Sequence, residues 1–360
     1  MTERRNPEWT AAAGAPARLR VKLLGRTETR TWLRQFPAGT PRWGRCDFSF
    51  DPAVRDYDWL VVYDDLPPLG SERFSARVEV LACPRRHTLL VTTEPSSIKT
   101  YGSAYTRQFG HVLTSQVEWA LPHPHRVYAQ PALQWFYGLG SRHAVGYDEL
   151  LQTPPWTKHR AIATVCSTKQ QTHTLHNRRY EFTLALKQRL PELDLYGHGV
   201  REMDDKAESL RDYRYHIAIE NHRGLHHWTE KLADPFLGLA LPFYYGCTNT
   251  TDYFPAESFI AIDIDDIDGA AASIRRAIRD NEYERRLPYL LEARRRVIEE
   301  YNLFAVLSRL IEAQHRNGVP REPGAVIESR RASNRKSLLA ALCYAGEKAR
   351  NRLYHRFRRR

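Results

Sequence analysis

Residues 213–266 read YRYHIAIENHRGLHHWTEKLADPFLGLALPFYYGCTNTTDYFPAESFIAIDIDD. Within them, the run from Tyr215 to Ile219 is apolar and ends on Glu220-Asn221, which predicts a buried strand entering a loop. Thr229 is a residue type that caps helices, and an apolar helix is expected to start behind it. Leu241-Pro242-Phe243-Tyr244-Tyr245 is a second strand, stopped by Gly246, and Phe259 to Ile262 is a third, stopped by Asp263. Strand, helix and strand in alternation predict an α/β unit with a parallel sheet, whose ligands lie beyond the carboxyl ends of its strands. Glu220 and Asn221 are delivered to that edge.

The same beat continues in both directions. Upstream lie a strand at 161–167, a helix at 178–189 carrying Phe182, Leu184, Ala185 and Leu186, and a strand at 193–197. Before these, strands are predicted at 19–24, 58–64, 88–93 and 111–114, the third running directly into Glu94-Pro95. The intervening stretch 119–156 is rich in proline and aromatics without a period, so it reads as a passage between domains. A chain of 360 residues is also long enough for two cores. The expected division is a disordered leader at 1–17, one Rossmann-like domain at 18–155, a second at 156–325, and a basic tail at 326–360. The charged helical region 274–314 is expected on the outside of the second domain. Asn317-Gly318-Val319-Pro320 should break the chain before the tail.

Composition narrows the function. No run of about 18 apolar residues occurs and the N-terminus lacks a signal-peptide core, which predicts a cytoplasmic protein. The five cysteines form no CxxC pair, so neither a disulfide framework nor a zinc site is expected. Asn249-Thr250-Thr251 fits a glycan acceptor pattern but reads as a polar turn. A net charge of +12 favours an anionic partner, yet the arginines crowd at the C-terminus and leave the remaining chain near balance. A nucleic-acid-binding α/β protein is therefore a rival reading, but the chain has no base-reading aromatic motif and nucleic acid is not the partner expected.

The chemistry concentrates around Thr229-Glu230-Lys231. Free amides at a helix start, beside a lysine, would hold a pyrophosphate, and Glu230 could accept hydrogen bonds from a ribose. A plain helix cap with a carboxylate in its first turn fits the same residues equally well.

Four separated pieces carry a resemblance. Tyr-x-Tyr-x-Ile-Ala-Ile-Glu-Asn at 213–221, Thr-Glu-Lys-Leu from Thr229, Leu-Pro-Phe-Tyr-Tyr-Gly from Leu241 and Phe-Pro-x-x-Ser-Phe-Ile from Phe254 resemble the α1,3/4-fucosyltransferases, glycosyltransferase family ten. The resemblance is strong over residues 161–267 and loose upstream. It implies a GT-B fold, in which two Rossmann-like domains face a cleft, and inverting transfer of fucose from GDP-fucose to a hydroxyl of an acceptor glycan in an α1,3-type linkage. Carried over by position, Asn221, Glu230 and Lys231 are donor-site residues. Arg179 in Arg-x-x-Phe is the phosphate-binding arginine, with Arg178 as its rival and Glu220 as a secondary candidate. His227 stands where the family commonly has an aromatic, which leaves a different nucleotide sugar open; an exposed loop histidine is the plainer reading of it. Thr-Thr-Glu-Pro-Ser at 92–96 resembles the segment bearing the family's base, so Glu94 is the expected catalytic base.

No tightly bound cofactor is expected, and the proposed mechanism needs no divalent metal because Arg179 and Lys231 would stabilise departing GDP. The Asp-x-Asp pairs Asp56-Tyr57-Asp58 and Asp263-Ile264-Asp265 are read as strand-end acids. The tail mixes leucines with arginines, so residues 335–360 are expected to meet an anionic membrane surface, peripherally at the inner face of the cell membrane. Its removal is expected to leave transfer to soluble acceptors intact.

Overall fold

The structure is a computed structural model that describes residues 17–70, 72–153, 155–166 and 175–357. Except for residue 17, the expected leader lies outside them. Two open sheets form the frame. In the first, β1 (Leu19–Leu24), β2 (Arg42–Trp43), β3 (Cys46–Ser49), β4 (Trp59–Tyr63), β6 (Thr88–Val91), β7 (His111–Thr114) and β8 (Arg126–Tyr128) lie in the order β2-β3-β1-β4-β6-β7-β8. All pairs are parallel except β2 with β3. Leu60, Val61, Val62, Leu90, Val112 and Leu113 are fully buried, as a parallel sheet covered on both faces requires.

The second sheet holds β9 (Arg160–Val165), β10 (Leu193–Tyr196), β11 (Tyr213–Gly224), β12 (Leu241–Cys247) and β13 (Ile260–Ala261), all parallel, in the order β10-β9-β11-β12-β13. Pairing of Ile217 with Thr164 and of Ala218 with Tyr244 places β11 at its centre. This strand runs on past the expected loop at Asn221, with an irregularity between Ile219 and Gly224. Helices α4 (His176–Arg189), α5 (Glu230–Leu237), α6 (Ile267–Arg279) and α7 (Glu282–Arg295) cover the sheet around a core that includes Phe182, Leu232, Phe236, Phe243 and Ile274.

In both sheets the first strand lies inside the sheet, with β3 and then β2 on one side of β1 and β4 on the other, and with β10 and β11 on either side of β9. That reversal opens a crevice between neighbouring strand ends, β1 and β4 in one sheet and β9 and β11 in the other. The two carboxyl edges line a common cavity, and the arrangement is GT-B.

Helices α1 (Thr29–Leu33), α2 (Ser103–Thr106) and α3 (Tyr147–Gln152) lie earlier in the chain. The region 274–314 does not stay with the second domain as expected. Ile274, Leu290, Val297 and Ile298 belong to that core, whereas α8 (Leu303–Gln314) buries Leu303, Phe304, Leu307 and Ile311 against the first sheet. Phe304 stacks on Phe36 with centroids 3.7 Å apart. The four residues form one helical stripe, and the charges that marked the region as external lie on other faces.

The tail is likewise built into the first domain. β14 (Val326–Glu328) pairs antiparallel with β5 (Val78–Val80), α9 (Arg330–Ser333) follows, and α10 (Leu338–Phe357) packs on α2. The buried Asn351 donates to Thr100 Oγ1 at 2.9 Å, and Trp119 meets Tyr354 at 4.2 Å. Among the described residues no helix is long and apolar enough to cross a membrane.

The expected boundary near 155 falls too late, because Trp135, Tyr137 and Leu150 belong to the second core, and one carboxylate ties this passage to it. Asp234 on α5 accepts the amides of Phe136 and Tyr137, each at 3.0 Å, and the Lys206 ammonium at 2.9 Å.

Candidate active site

A cavity of about 390 Å³ lies between the two carboxyl edges. Its second-domain wall starts from β11, which ends by aiming Glu220 beneath the start of α5. The fully buried Glu220 carboxylate accepts the Thr229 amide at 2.8 Å and the Thr229 hydroxyl at 2.7 Å. Burial pushes Glu220 up to about 7 against the opposing pull of Lys231. Glu220 therefore holds the helix start in place from below.

Thr229 in turn caps α5, taking the Lys231 amide on its hydroxyl at 3.2 Å, while Leu232 and Ala233 donate to its carbonyl. The expected row of free amides is thus largely occupied, because the cap and its carbonyl reach them first. What the helix start offers a phosphate is mainly its dipole and the Lys231 side chain. Lys231 donates to Glu230 Oε1 at 2.8 Å, and Lys206 approaches the same oxygen at 3.8 Å. Burial works against ionised Glu230, but these two cations outweigh it and hold the carboxyl well below its usual range.

The two candidate arginines lie in different surroundings. Arg178 is partly exposed and forms an ion pair with Asp265. Arg179 is buried and donates to Asn221 Oδ1 at 2.9 Å, and its Nε has no hydrogen-bond partner among the described residues. That nitrogen is a donor available to an anion in the adjoining cavity. A second cavity of about 190 Å³, lined by Arg179, Lys206 and His216, shares Glu230 and Lys231 with the first.

His227 is buried rather than an exposed loop residue, with Nδ1 3.2 Å from Ser115 Oγ of the first domain. Burial lowers its basicity far below that of a free imidazole, so the ring is neutral.

The first-domain wall is built around Glu94. Its carbonyl accepts from Gln116 at 2.8 Å, and the preceding amide of Thr93 donates to Tyr101 Oη at 2.9 Å. Tyr101, Thr93 and Lys99 all converge on Asp64, which holds a left-handed φ of 71° at the end of β4. The backbone of Glu94 is therefore fixed, while its carboxylate receives no hydrogen bond from any described residue. Burial raises Glu94 above the ordinary carboxylate value, and the attraction of Lys231 only partly offsets this.

The tail reaches this wall. Ser96 Oγ lies 2.9 Å from His355 Nε2 of α10, and Ser97 Oγ lies 2.9 Å from His222 Nδ1 of β11. The tail thus packs on the first-domain wall and contacts a residue two positions after the expected base.

All the expected donor-side residues except Arg178 therefore line or adjoin the cavity, and Glu94 faces them from the other domain. The strand-end acids have structural partners instead. Arg20 pairs with Asp56 and Asp58, Arg178 pairs with Asp265, and Asp263 accepts the Asp265 amide at 3.0 Å. Among the described residues no cluster of three or more histidines, cysteines or acids is arranged for a metal ion. Asp64, Lys99, Tyr101, Lys206, Arg26 and Gln134 also belong to the site or its support but sit in no motif. An acid closing an apolar strand run, as at Asp64, was the one local signal available.

Residues 156–284 match the family model described as glycosyltransferase family 10 (fucosyltransferase) C-term. Among curated proteins none matches the chain. The structure is similar to a crystal structure of α1,3-fucosyltransferase with GDP-fucose at 15% identity and TM-score 0.42, covering 87% of this chain and 95% of that one. It is also similar to the DNA-modifying enzyme β-glucosyltransferase at 9% identity and TM-score 0.45, covering 82% of this chain and all of that one. A third likeness is to TarM, at 9% identity and TM-score 0.40, covering 72% and 50% respectively. The matched stretch holds α4, β11 and the Thr229-Glu230-Lys231 helix start, so it is the second-domain side of the cavity that is similar to the family-10 fucosyltransferase C-terminal domain.

Proposed function

We propose that the protein transfers fucose from GDP-fucose to a hydroxyl of an acceptor glycan, with inversion and in an α1,3-type linkage. The observation that carries this reading is the opposition of a hydrogen-bond-free Glu94 carboxylate to Asn221, Glu230 and Lys231 across one cavity. Its volume, with that of the adjoining cavity, suits a nucleotide sugar. Glu230 accepts from the ribose, Lys231 and Arg179 meet the diphosphate, and the cavity along His216 and Lys206 takes the base. His227 borders the sugar as a neutral ring. Glu94 removes the acceptor proton as the hydroxyl oxygen bonds to the anomeric carbon from the face opposite the leaving group. The bond to GDP breaks as that bond forms, and the charge gathering on the diphosphate falls on Arg179 and Lys231.

The outer face of α10 supports a peripheral membrane role at the inner face of the cell membrane. Leu338, Leu342, Ala349, Leu353 and Phe357 fall on one side of the helix, and Lys348, Arg350 and Arg352 flank them. Such a stripe would lie in an anionic bilayer surface.

Thermal shift with a panel of nucleotide sugars and free nucleotides tests the donor assignment. Stabilisation by GDP and GDP-fucose that disappears in Glu230→Ala and Lys231→Ala supports it. Stabilisation by another nucleotide changes the sugar, and no response to any nucleotide overturns the reading.

A further inference from the structure

The crevice between β1 and β4 lies on the opposite side of the cavity from the donor residues, and nothing above assigns it a ligand. Gly25 closes β1 against the Trp32 ring and Tyr63, where a Cβ would come within 3.1–3.2 Å of both. The chain therefore turns tightly there, and Arg26 and Thr27 line the cavity. Arg26 is exposed and has no hydrogen bond or ion pair with any described residue. Of the acids around it, Asp64 pairs with Lys99, Glu28 with Arg30 and Glu230 with Lys231, while Glu94, unpaired on the same cavity, feels Lys231 and Lys99 as its main cations. Beside Arg26, Gln134 donates to Thr27 Oγ1 at 2.6 Å, and Phe136, an exposed residue of the cavity wall, has the Lys206 ammonium 5.2 Å from its ring centroid and the rest of its ring open to a second partner. A flat aromatic, neutral hydrogen-bonding groups and a cation outside any ion pair are the chemistry that suits a sugar carrying a negative charge.

Resting on the transferase reading, we propose that this crevice is the acceptor subsite and that Arg26 selects an acidic acceptor sugar by binding its carboxylate. The acceptor's neutral face lies on Phe136, and the hydroxyl to be substituted faces Glu94. The rival source of a negative charge at Arg26 is the donor diphosphate.

Binding of galacturonate and of galactose to the full chain, followed by ligand-observed NMR with and without GDP, separates these possibilities. Wild type should bind galacturonate about tenfold or more tightly than galactose, the scale of a charge-assisted hydrogen bond. Arg26→Ala should bind the two sugars alike and bind GDP as wild type does, while Arg26→Lys should keep part of the preference. Equal binding of both sugars by wild type overturns the proposal. So does a loss of GDP affinity in Arg26→Ala with the sugar preference unchanged, which would assign Arg26 to the donor. Failure to bind GDP at all would instead remove the donor assignment, and the sugar preference measured without nucleotide still decides the role of Arg26.

Discussion

Replacing Glu94 by Gln should abolish most of the transfer while leaving the protein and its donor site intact. No described residue donates to the Glu94 carboxylate, so an amide of the same shape removes no internal bond, and the stability change should stay within about 0.5 kcal/mol. The coupling to Lys231 sets the sign of the effect on the nucleotide. Glu94 is a negative charge that partly satisfies Lys231, so its neutralisation leaves GDP binding unchanged or tighter. A base that takes the acceptor proton is worth about 10²–10⁴ in rate, or roughly 3–5 kcal/mol of barrier. Transfer should therefore fall by that factor at constant GDP affinity, measured by product formation and by calorimetry on the same preparation. The pH profile adds a signature: because burial raises Glu94, the acid limb of kcat/KM in wild type should lie above the ordinary 4.5 and be absent from the variant. A variant keeping more than about a tenth of the wild-type rate would refute the assignment of Glu94 as base.

Arg179→Ala should weaken GDP binding about 10–100-fold, as expected for a lost charge-assisted contact. Arg178→Ala should change it by less than about threefold, since that side chain is partly exposed and paired with Asp265; calorimetric titration with GDP decides, and equal losses would contradict the geometry. Glu220 has a folded pKa raised to about 7 from 4.5. Its contribution to stability is complete below 4.5 and is lost as pH rises through about 7. Glu220→Gln should thus flatten the fall in Tm between these values relative to wild type, and parallel curves would place the titration elsewhere.

The strands were legible because parallel strands covered on both faces must be continuous apolar runs, and residues such as Leu60–Val62 and Ile217–Ile219 cannot be hidden by their surroundings. The second-domain wall of the cavity was legible for a related reason. Its residues Glu220, Asn221, Thr229, Glu230 and Lys231 fall within twelve positions, at the end of one strand and the start of the next helix. The first-domain wall is assembled from separate loops. Asp64, Thr93, Lys99 and Tyr101 meet only after β4 and β6 have paired, so no local pattern announces them. The destination of α8 was hidden because an amphipathic stripe states that a helix is buried on one side, not which sheet receives it. Tail packing escaped notice for the opposite reason, since Asn351 and His355 are polar residues whose burial depends on partners some 250 positions away.

Leu303, Phe304, Leu307 and Ile311 complete the core of a sheet whose first strand is Leu19–Leu24. During synthesis, the ribosome must release nearly the whole chain before that core can close. The second domain, whose core residues lie almost entirely between 135 and 298, can close earlier. Folding from the N-terminus onwards, the usual order for chains of several domains, therefore does not describe this one: its earlier sheet waits, incomplete and open to unwanted contacts, for a helix made after the second core is complete.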